Sequence, residues 1–339
     1  MSLEPDVLAY LDLVERAKRP PLFQLPVPEA RVAYALGCEM NGLQRDASVA
    51  TADMVAHTST GPLNLRSYWT VESERSLAPG LVFFHGGGWV VGSLDTHDSI
   101  CRELARASGC RIVAVDYRLA PEHPFPAAID DALASYQWIA QNADGLGIDA
   151  SRLGVVGDSA GGFLATFVSL SAGDYPKEIR PKLQLLFYPV TDLAAESAGY
   201  SRVASGLPFT SVTMRWFRDH YVQRALDADD VRLAPLNALD LTASPDTLIV
   251  TSGFDPLCEE GTAYARRLQD AGVRVNHLHL ADQIHGFLTL GLRMNTARTV
   301  LDWASAYTRQ KFMLNDVPVR SPLRRDSTDT TSSEDQVRV

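Results

Sequence analysis

The chain predicts an α/β protein built on a mostly parallel sheet, and three observations carry that prediction. Six short apolar runs, Leu81–Phe84, Ile112–Val115, Leu153–Val156, Leu183–Phe187, Leu248–Val250 and Arg274–Leu280, each end in turn-forming residues. Segments of helical spacing separate several of them, and strands alternating with helices imply βαβ units with both sheet faces covered. The composition agrees: 339 residues, 46% hydrophobic and 21% charged, with a net charge of -10, suit a folded globular chain and exclude a disordered one. The 23 Gly and 19 Pro are near average usage, which removes collagen-like and low-complexity alternatives.

The elements follow in order. Leu3, Val7, Leu8, Leu11 and Val14 recur at helical spacing with charges between them, so residues 3–18 read as an amphipathic helix. The prolines at 20, 21, 26 and 28 cannot continue it, because proline lacks the donor N–H, and a second short helix is expected near 29–40. Between the second and third apolar runs, Pro126 opens a helix whose face is Ile129, Leu133, Tyr136 and Ala140. Residues 195–235 interrupt the alternation with Phe209, Met214, Trp216, Phe217 and Tyr221 at helical spacing and no strand. The chain therefore divides into an N-terminal helical cap segment (1–50), a main α/β domain (51–194 and 236–314) and a cap insertion (195–235). Residues 315–339 read as a disordered tail. Its end, DSTDTTSSEDQVRV, carries only two apolar residues, too few to offset the entropy of ordering.

Composition also narrows the partners. The acidic balance argues against nucleic acid and against stable association with an anionic membrane, since both ask for clustered Lys and Arg. The N-terminus has Glu4, Asp6 and Asp12 where a signal peptide would be basic and then apolar. The longest weakly polar run, Gly80 to Leu94, contains His85 and is shorter than the roughly 20 residues of a membrane span. Cys38, Cys101, Cys110 and Cys258 are scattered, without a C-x-x-C pair. Buried free thiols and a cytoplasmic location are the expectation.

The chemistry begins at Gly157-Asp158-Ser159-Ala160-Gly161, which lies between the run Leu153–Val156 and a helix-compatible segment. A G-x-S-x-G at a strand-to-helix turn lifts the Ser hydroxyl above the sheet edge, and the flanking glycines avoid collisions inside the turn. The helix that follows directs its N-terminal dipole toward negative charge formed at Ser159. A second motif, His85-Gly86-Gly87-Gly88-Trp89, follows the first apolar run, and its glycines let backbone N–H groups approach a ligand oxygen. Acyl transfer needs such donors where charge develops.

A general base must come from His220, His277, His279 or His285, the histidines after Ser159. His277 and His279 share one face of a strand and read as structural; no third metal ligand is evident, so no metal site is expected. His220 falls in the cap. His285 follows the last strand by a short loop, at the sheet edge where α/β sites form. Asp255 ends the strand Leu248–Val250 extended through Phe254, whereas Asp246 enters that strand at the opposite end. Asp255 before Pro256 also suits a helix N-cap, and a carboxylate has acceptor sites for both roles. The order Ser159, Asp255, His285 is that of α/β-hydrolases.

At these residues the sequence resembles the hormone-sensitive-lipase-like carboxylesterases, the bacterial family IV esterases, over about residues 50–310. The matching blocks are HGGGW at 85–89, GSLDTHD at 92–98, DYRLAPEHPFPAAIDD at 116–131, GDSAGG at 157–162, YPVTD at 188–192, DPL at 255–257 and HGF at 285–287. The resemblance implies an α/β-hydrolase fold with a helical cap, and hydrolysis of small carboxylic esters without metal or organic cofactor. Carried across, it makes Ser159 the nucleophile, His285 the base and Asp255 its partner. Gly87, Gly88 and Ala160 supply an oxyanion hole, and His85, Gly86 and Asp158 support it. Many members have Asn where this chain has Phe163. The cap residues Leu207, Phe209, Met214, Trp216 and Phe217 either line an acyl pocket or pack the cap's own core. A small-molecule ester of short to medium chain is the expected partner, and the resemblance is compatible with a homodimer. Competing readings are amide or arylformamide hydrolysis on the same residues, and a non-catalytic ligand-binding protein of this fold.

Overall fold

A computed structural model describes residues 2–74, 77–203, 205–223 and 230–312. The expected tail at 315–339 and part of the 195–235 insertion lie outside the described residues. The strands are β1 (Ala50–Thr58), β2 (Gly61–Trp69), β3 (Ala78–Phe84), β4 (Arg111–Asp116), β5 (Ile148–Asp158), β6 (Leu183–Phe187), β7 (Asp246–Phe254) and β8 (Val275–Ile284). They form one sheet in the order β1-β2-β4-β3-β5-β6-β7-β8. β1, β2 and β4 pair antiparallel, and every pairing from β4 through β3 to β8 is parallel.

The six apolar runs all became strands; the β1–β2 hairpin had no such run to show for itself. Among the residues of β1 only Ala56 is buried, because an edge strand covers little of the core. Its hairpin turns at Gly61, whose φ of 115° suits glycine. The central strands β3, β6 and β7 are almost entirely buried because both faces are covered, and most of their residues are apolar. On β3, Leu81 and Phe83 pack into one core while Val82 and Phe84 pack into the other. The first core holds α4 (Asp98–Ser108) and α10 (Asn295–Lys311); the second holds α5 (Ala127–Gln141), α6 (Ala160–Leu170) and α9 (Cys258–Asp270). Each such buried side chain is worth about 1.5–3 kcal/mol, which fixes the register against a one-residue slip.

The remaining helices are α1 (Pro5–Ala17), α2 (Val27–Asn41), α3 (Val71–Glu74), α7 (Ala198–Arg202) and α8 (Ser211–Tyr221). α1 leans on the end of β8: Glu4 N–H donates to Asp282 O at 3.2 Å, and the Glu4 carboxylate accepts from Gln283 and Thr296. α2 is tied to the loop after β3 by Arg31, which donates to Val90 O at 2.8 Å and Ala120 O at 2.9 Å and forks onto Glu122. Among the described residues no helix is long and apolar enough to cross a membrane.

The feature that positions the site is the alignment of strand ends. β3 stops at Phe84, β5 at Asp158, β7 at Phe254 and β8 at Ile284. The next residues are His85, Ser159, Asp255 and His285, so four side chains singled out from separate parts of the sequence leave one edge of one sheet.

Candidate active site

Ser159 stands between β5 and α6 with φ 54° and ψ -118°, a strained conformation for a side-chain-bearing residue. Neighbouring backbone holds it there. Its N–H donates to Phe187 O at 2.9 Å, and its carbonyl accepts from Val190 at 3.2 Å and Phe163 at 3.1 Å. The glycines on either side are obligatory: a Cβ on Gly157 would press under 3.0 Å on the Gly161 backbone, and one on Gly161 on the Phe84 carbonyl.

His285 Nε2 lies 2.8 Å from Ser159 Oγ, and His285 Nδ1 lies 2.7 Å from Asp255 Oδ2. All three residues are buried. Asp255 divides its oxygens, since Oδ1 accepts the Leu257 N–H at 2.8 Å in the turn that leads into α9. The imidazole lies between two rings, Phe209 stacked at 3.9 Å and 20°, and Tyr188 tilted at 4.8 Å.

The glycine loop is held from below and above. Below, Asp158 Oδ1 accepts the Gly86 N–H at 2.8 Å and sits 3.2 Å from His97 Nε2. Burial drives the Asp158 carboxyl upward, but His97, the Gly86 N–H and His85 outweigh it and keep it below the ordinary carboxylate range. His85 lies under the loop, not in the reacting line: Nδ1–H donates to Gly86 O at 2.8 Å, and the ring stacks on Tyr117 at 4.4 Å. Burial, with His97 nearby, pushes His85 down to about 3, so its ring is neutral at pH 7. Above, Phe217 of α8 presses on Gly88, and Tyr221 stacks on Trp89 at 4.5 Å and 9°. The N–H groups of Gly87 and Gly88 donate no hydrogen bond among the described residues. Phe163 meets Trp89 edge-on at 5.1 Å.

Of the expected pocket residues, Phe209 and Phe217 reach the site. Met214 is buried in the core, Leu207 packs against the α4–α10 core, and Trp216 lies on Phe217 and His220. His277 and His279 meet away from the site at Thr251 Oγ1, at 2.8 and 3.1 Å.

Sequence reasoning passed over His97, Tyr188 and Glu260. His97 lies in a motif that carried no assigned role, and only the fold brings it to Asp158. Glu260 stands in the first turn of α9, where acids are common. In the structure it is buried, and Oε1 accepts the N–H groups of Thr191 at 2.7 Å and Asp192 at 3.2 Å. Burial pushes it well above the carboxylate range. It thereby clamps the 188–192 loop whose Val190 supports Ser159.

Comparison with known proteins gives this geometry its context. Residues 81–289 match the family model described as the alpha/beta hydrolase fold. An ethyl acetate hydrolase of Pseudomonas putida is 38% identical over 297 residues, covering 86% of this chain and 93% of that protein. The carboxylic ester hydrolase LipN of Mycobacterium tuberculosis is 43% identical over 217 residues, 62% of this chain and 58% of its own length. Among solved structures, an ester-hydrolase from the metagenome of Lake Arreo, complexed with a bipyridine phosphonate derivative, superposes with a TM-score of 0.88. It is 38% identical and covers 92% of this chain and 99% of that one. With the sheet, the serine turn and these relatives in agreement, the chain belongs to the hormone-sensitive-lipase-like branch of the α/β-hydrolase family and is a carboxylic ester hydrolase.

Proposed function

We propose that the chain hydrolyses short- to medium-chain carboxylic esters through an acyl-enzyme on Ser159. The observation that carries the reading is the unbroken line from Ser159 Oγ to His285 Nε2 at 2.8 Å and from His285 Nδ1 to Asp255 at 2.7 Å. In this reading His285 takes the Ser159 proton as Oγ attacks the ester carbonyl, and Asp255 holds the imidazole in the required tautomer and offsets its charge. The tetrahedral oxygen is received by the N–H groups of Gly87, Gly88 and Ala160, the last at the start of α6. His285 then gives its proton to the departing alcohol. A water, deprotonated by the same nitrogen, attacks the acyl carbon, and His285 returns that proton to Ser159 Oγ as the acyl–oxygen bond breaks, releasing the acid and free Ser159.

The segments 1–50 and 195–235 act as the cap. Phe209 over His285 and Phe217 against Gly88 support this, since they bring an apolar roof down to the reacting atoms. A low roof suits small esters, and the ethyl acetate hydrolase among the relatives agrees with that choice.

Ser159→Ala tests the reading. It is expected to lower kcat by about 10⁶-fold while the fold survives, and a fluorophosphonate should label the unsubstituted protein at Ser159 only. Ester hydrolysis by the variant at the normal rate would refute the mechanism. A jump in activity above the aggregation point of longer esters would refute the substrate range.

A further inference from the structure

The imidazole of His285 is held in its own plane by two hydrogen bonds, one to Asp255 and one to Ser159. The second cannot last through the cycle. Once Ser159 Oγ is esterified it has no proton to share, and the ring that must orient the hydrolytic water is tethered through Asp255 alone. What remains constant is contact with its faces. Phe209 lies over one, 3.9 Å between centroids and 20° from parallel. Tyr188 touches the ring at a tilt, 57° from its plane and 4.8 Å away.

Phe209 is fixed in that position by the chain around it. It directly precedes Thr210, the N-cap of α8, whose carbonyl accepts the Met214 N–H at 2.9 Å. Ser211 N–H donates to Val203 O at 3.1 Å and closes the loop that presents the ring. The ring is packed on one side by the second core and is half-buried. A phenyl face at this distance also attracts the imidazolium that forms when Ser159 gives up its proton, an interaction strengthened by exclusion from water.

We propose that Phe209 is a positioning residue for His285, holding the imidazole in line through acylation and deacylation and favouring its charged form in both transition states. This rests on the assignment of His285 as the base. It differs from the reading of Phe209 as a wall of the acyl pocket, because a wall acts on substrate and a positioning ring acts on the base whatever the substrate.

Phe209→Leu keeps the apolar volume and removes the ring, whereas Phe209→Tyr keeps the ring. The measurements are kcat and KM on esters of one alcohol with acyl groups of increasing size, and the second-order rate constant for phosphonylation of Ser159 by a small fluorophosphonate. With Leu, kcat is expected to fall about tenfold on every ester with KM within about threefold, and phosphonylation to slow by a similar factor. Tyr is expected to recover most of that loss. Should Leu fail to fold, as read from its melting curve, Phe209→Met serves in its place with the same expectation. The proposal is overturned if phosphonylation proceeds at the unsubstituted rate while KM rises with substrate size, or if Leu and Tyr behave alike. Absence of any labelling in the unsubstituted protein would overturn the Ser159 assignment, and the role of Phe209 with it; normal labelling unaffected by Phe209→Leu would overturn the role of Phe209 alone.

Discussion

Adding one methyl group at Gly88 probes the glycine loop and α8 together. A Cβ there would stand under 3.0 Å from three ring carbons of Phe217, where ordinary contact begins at about 3.4 Å. The residue also has φ 58°, a left-handed conformation that costs a side-chain-bearing residue roughly 1–2 kcal/mol. Phe217 is 4% exposed and cannot swing away, so either α8 lifts or the loop withdraws. Below, Asp158 and His97 hold Gly86, which leaves Gly87 and Gly88 to absorb the shift. A displacement of about 1 Å in a positioning group costs roughly 10²-fold in rate. Gly88→Ala should therefore lower kcat about 100-fold on a small chromogenic ester, and overpacking should reduce unfolding free energy in urea by about 1–3 kcal/mol. The double variant Gly88→Ala/Phe217→Ala removes the obstructing ring and should regain at least about tenfold of the lost kcat, because contacting residues are not additive. A Gly88→Ala enzyme within twofold of normal, or a double variant no better than the single one, would refute the idea that α8 sets the position of the proposed oxyanion donors.

Two further outcomes concern stability. Burial, with His97 nearby, pushes His85 down to about 3 in the folded protein, whereas in the unfolded chain it has the ordinary histidine value of about 6.5. The unfolded state therefore binds more protons between those values, so the contribution of His85 to stability is complete above pH 6.5. It is lost as pH falls, by about 1.4 kcal/mol per unit. His85→Gln should show a shallower loss of urea stability between pH 6.5 and 4; an identical slope would contradict the assignment. Glu260→Leu removes the acceptor of two buried N–H groups and should cost roughly 2–4 kcal/mol at pH 7, whereas Glu260→Gln keeps a neutral acceptor of the same shape and should cost far less. Urea curves in which Leu matches or exceeds Gln would show that the clamp on the 188–192 loop contributes nothing.

Much of this was readable before the fold, and for physical reasons. Parallel strands buried on both faces write themselves as largely apolar runs, so β3 to β7 were visible; β8 showed instead as an alternation of apolar and polar residues, and β1, buried only at Ala56, did not show at all. Ser159 announced itself because a strained turn needs glycines at fixed spacing on either side of it. His285 and Asp255 could be chosen by asking which His and Asp end strands, since only strand ends share an edge. Contacts made through space left no such trace. Nothing in the spacing of His97 links it to Asp158, and nothing in a first-turn acid such as Glu260 shows that it faces inward. The cap aromatics illustrate the same limit from the other direction. Their helical spacing was legible, but which of them turn toward the sheet depends on how α8 docks: Phe217 reaches Gly88 while Met214 is spent in the core.

The common edge from which His85, Ser159, Asp255 and His285 depart bears on how such a protein can change over evolutionary time. The points from which these four residues leave the sheet are set by strand register, which a substitution in the segments covering that edge does not alter. The covering segments can thus be lengthened, shortened or exchanged, and the range of accepted esters can drift while the chemistry stays in place. That freedom is limited by side chains of the insertion such as Phe209 and Phe217, which touch His285 and the glycine loop directly. A recombinant that grafts a new insertion onto this sheet would have to bring equivalents of those two rings, or inherit a looser machine.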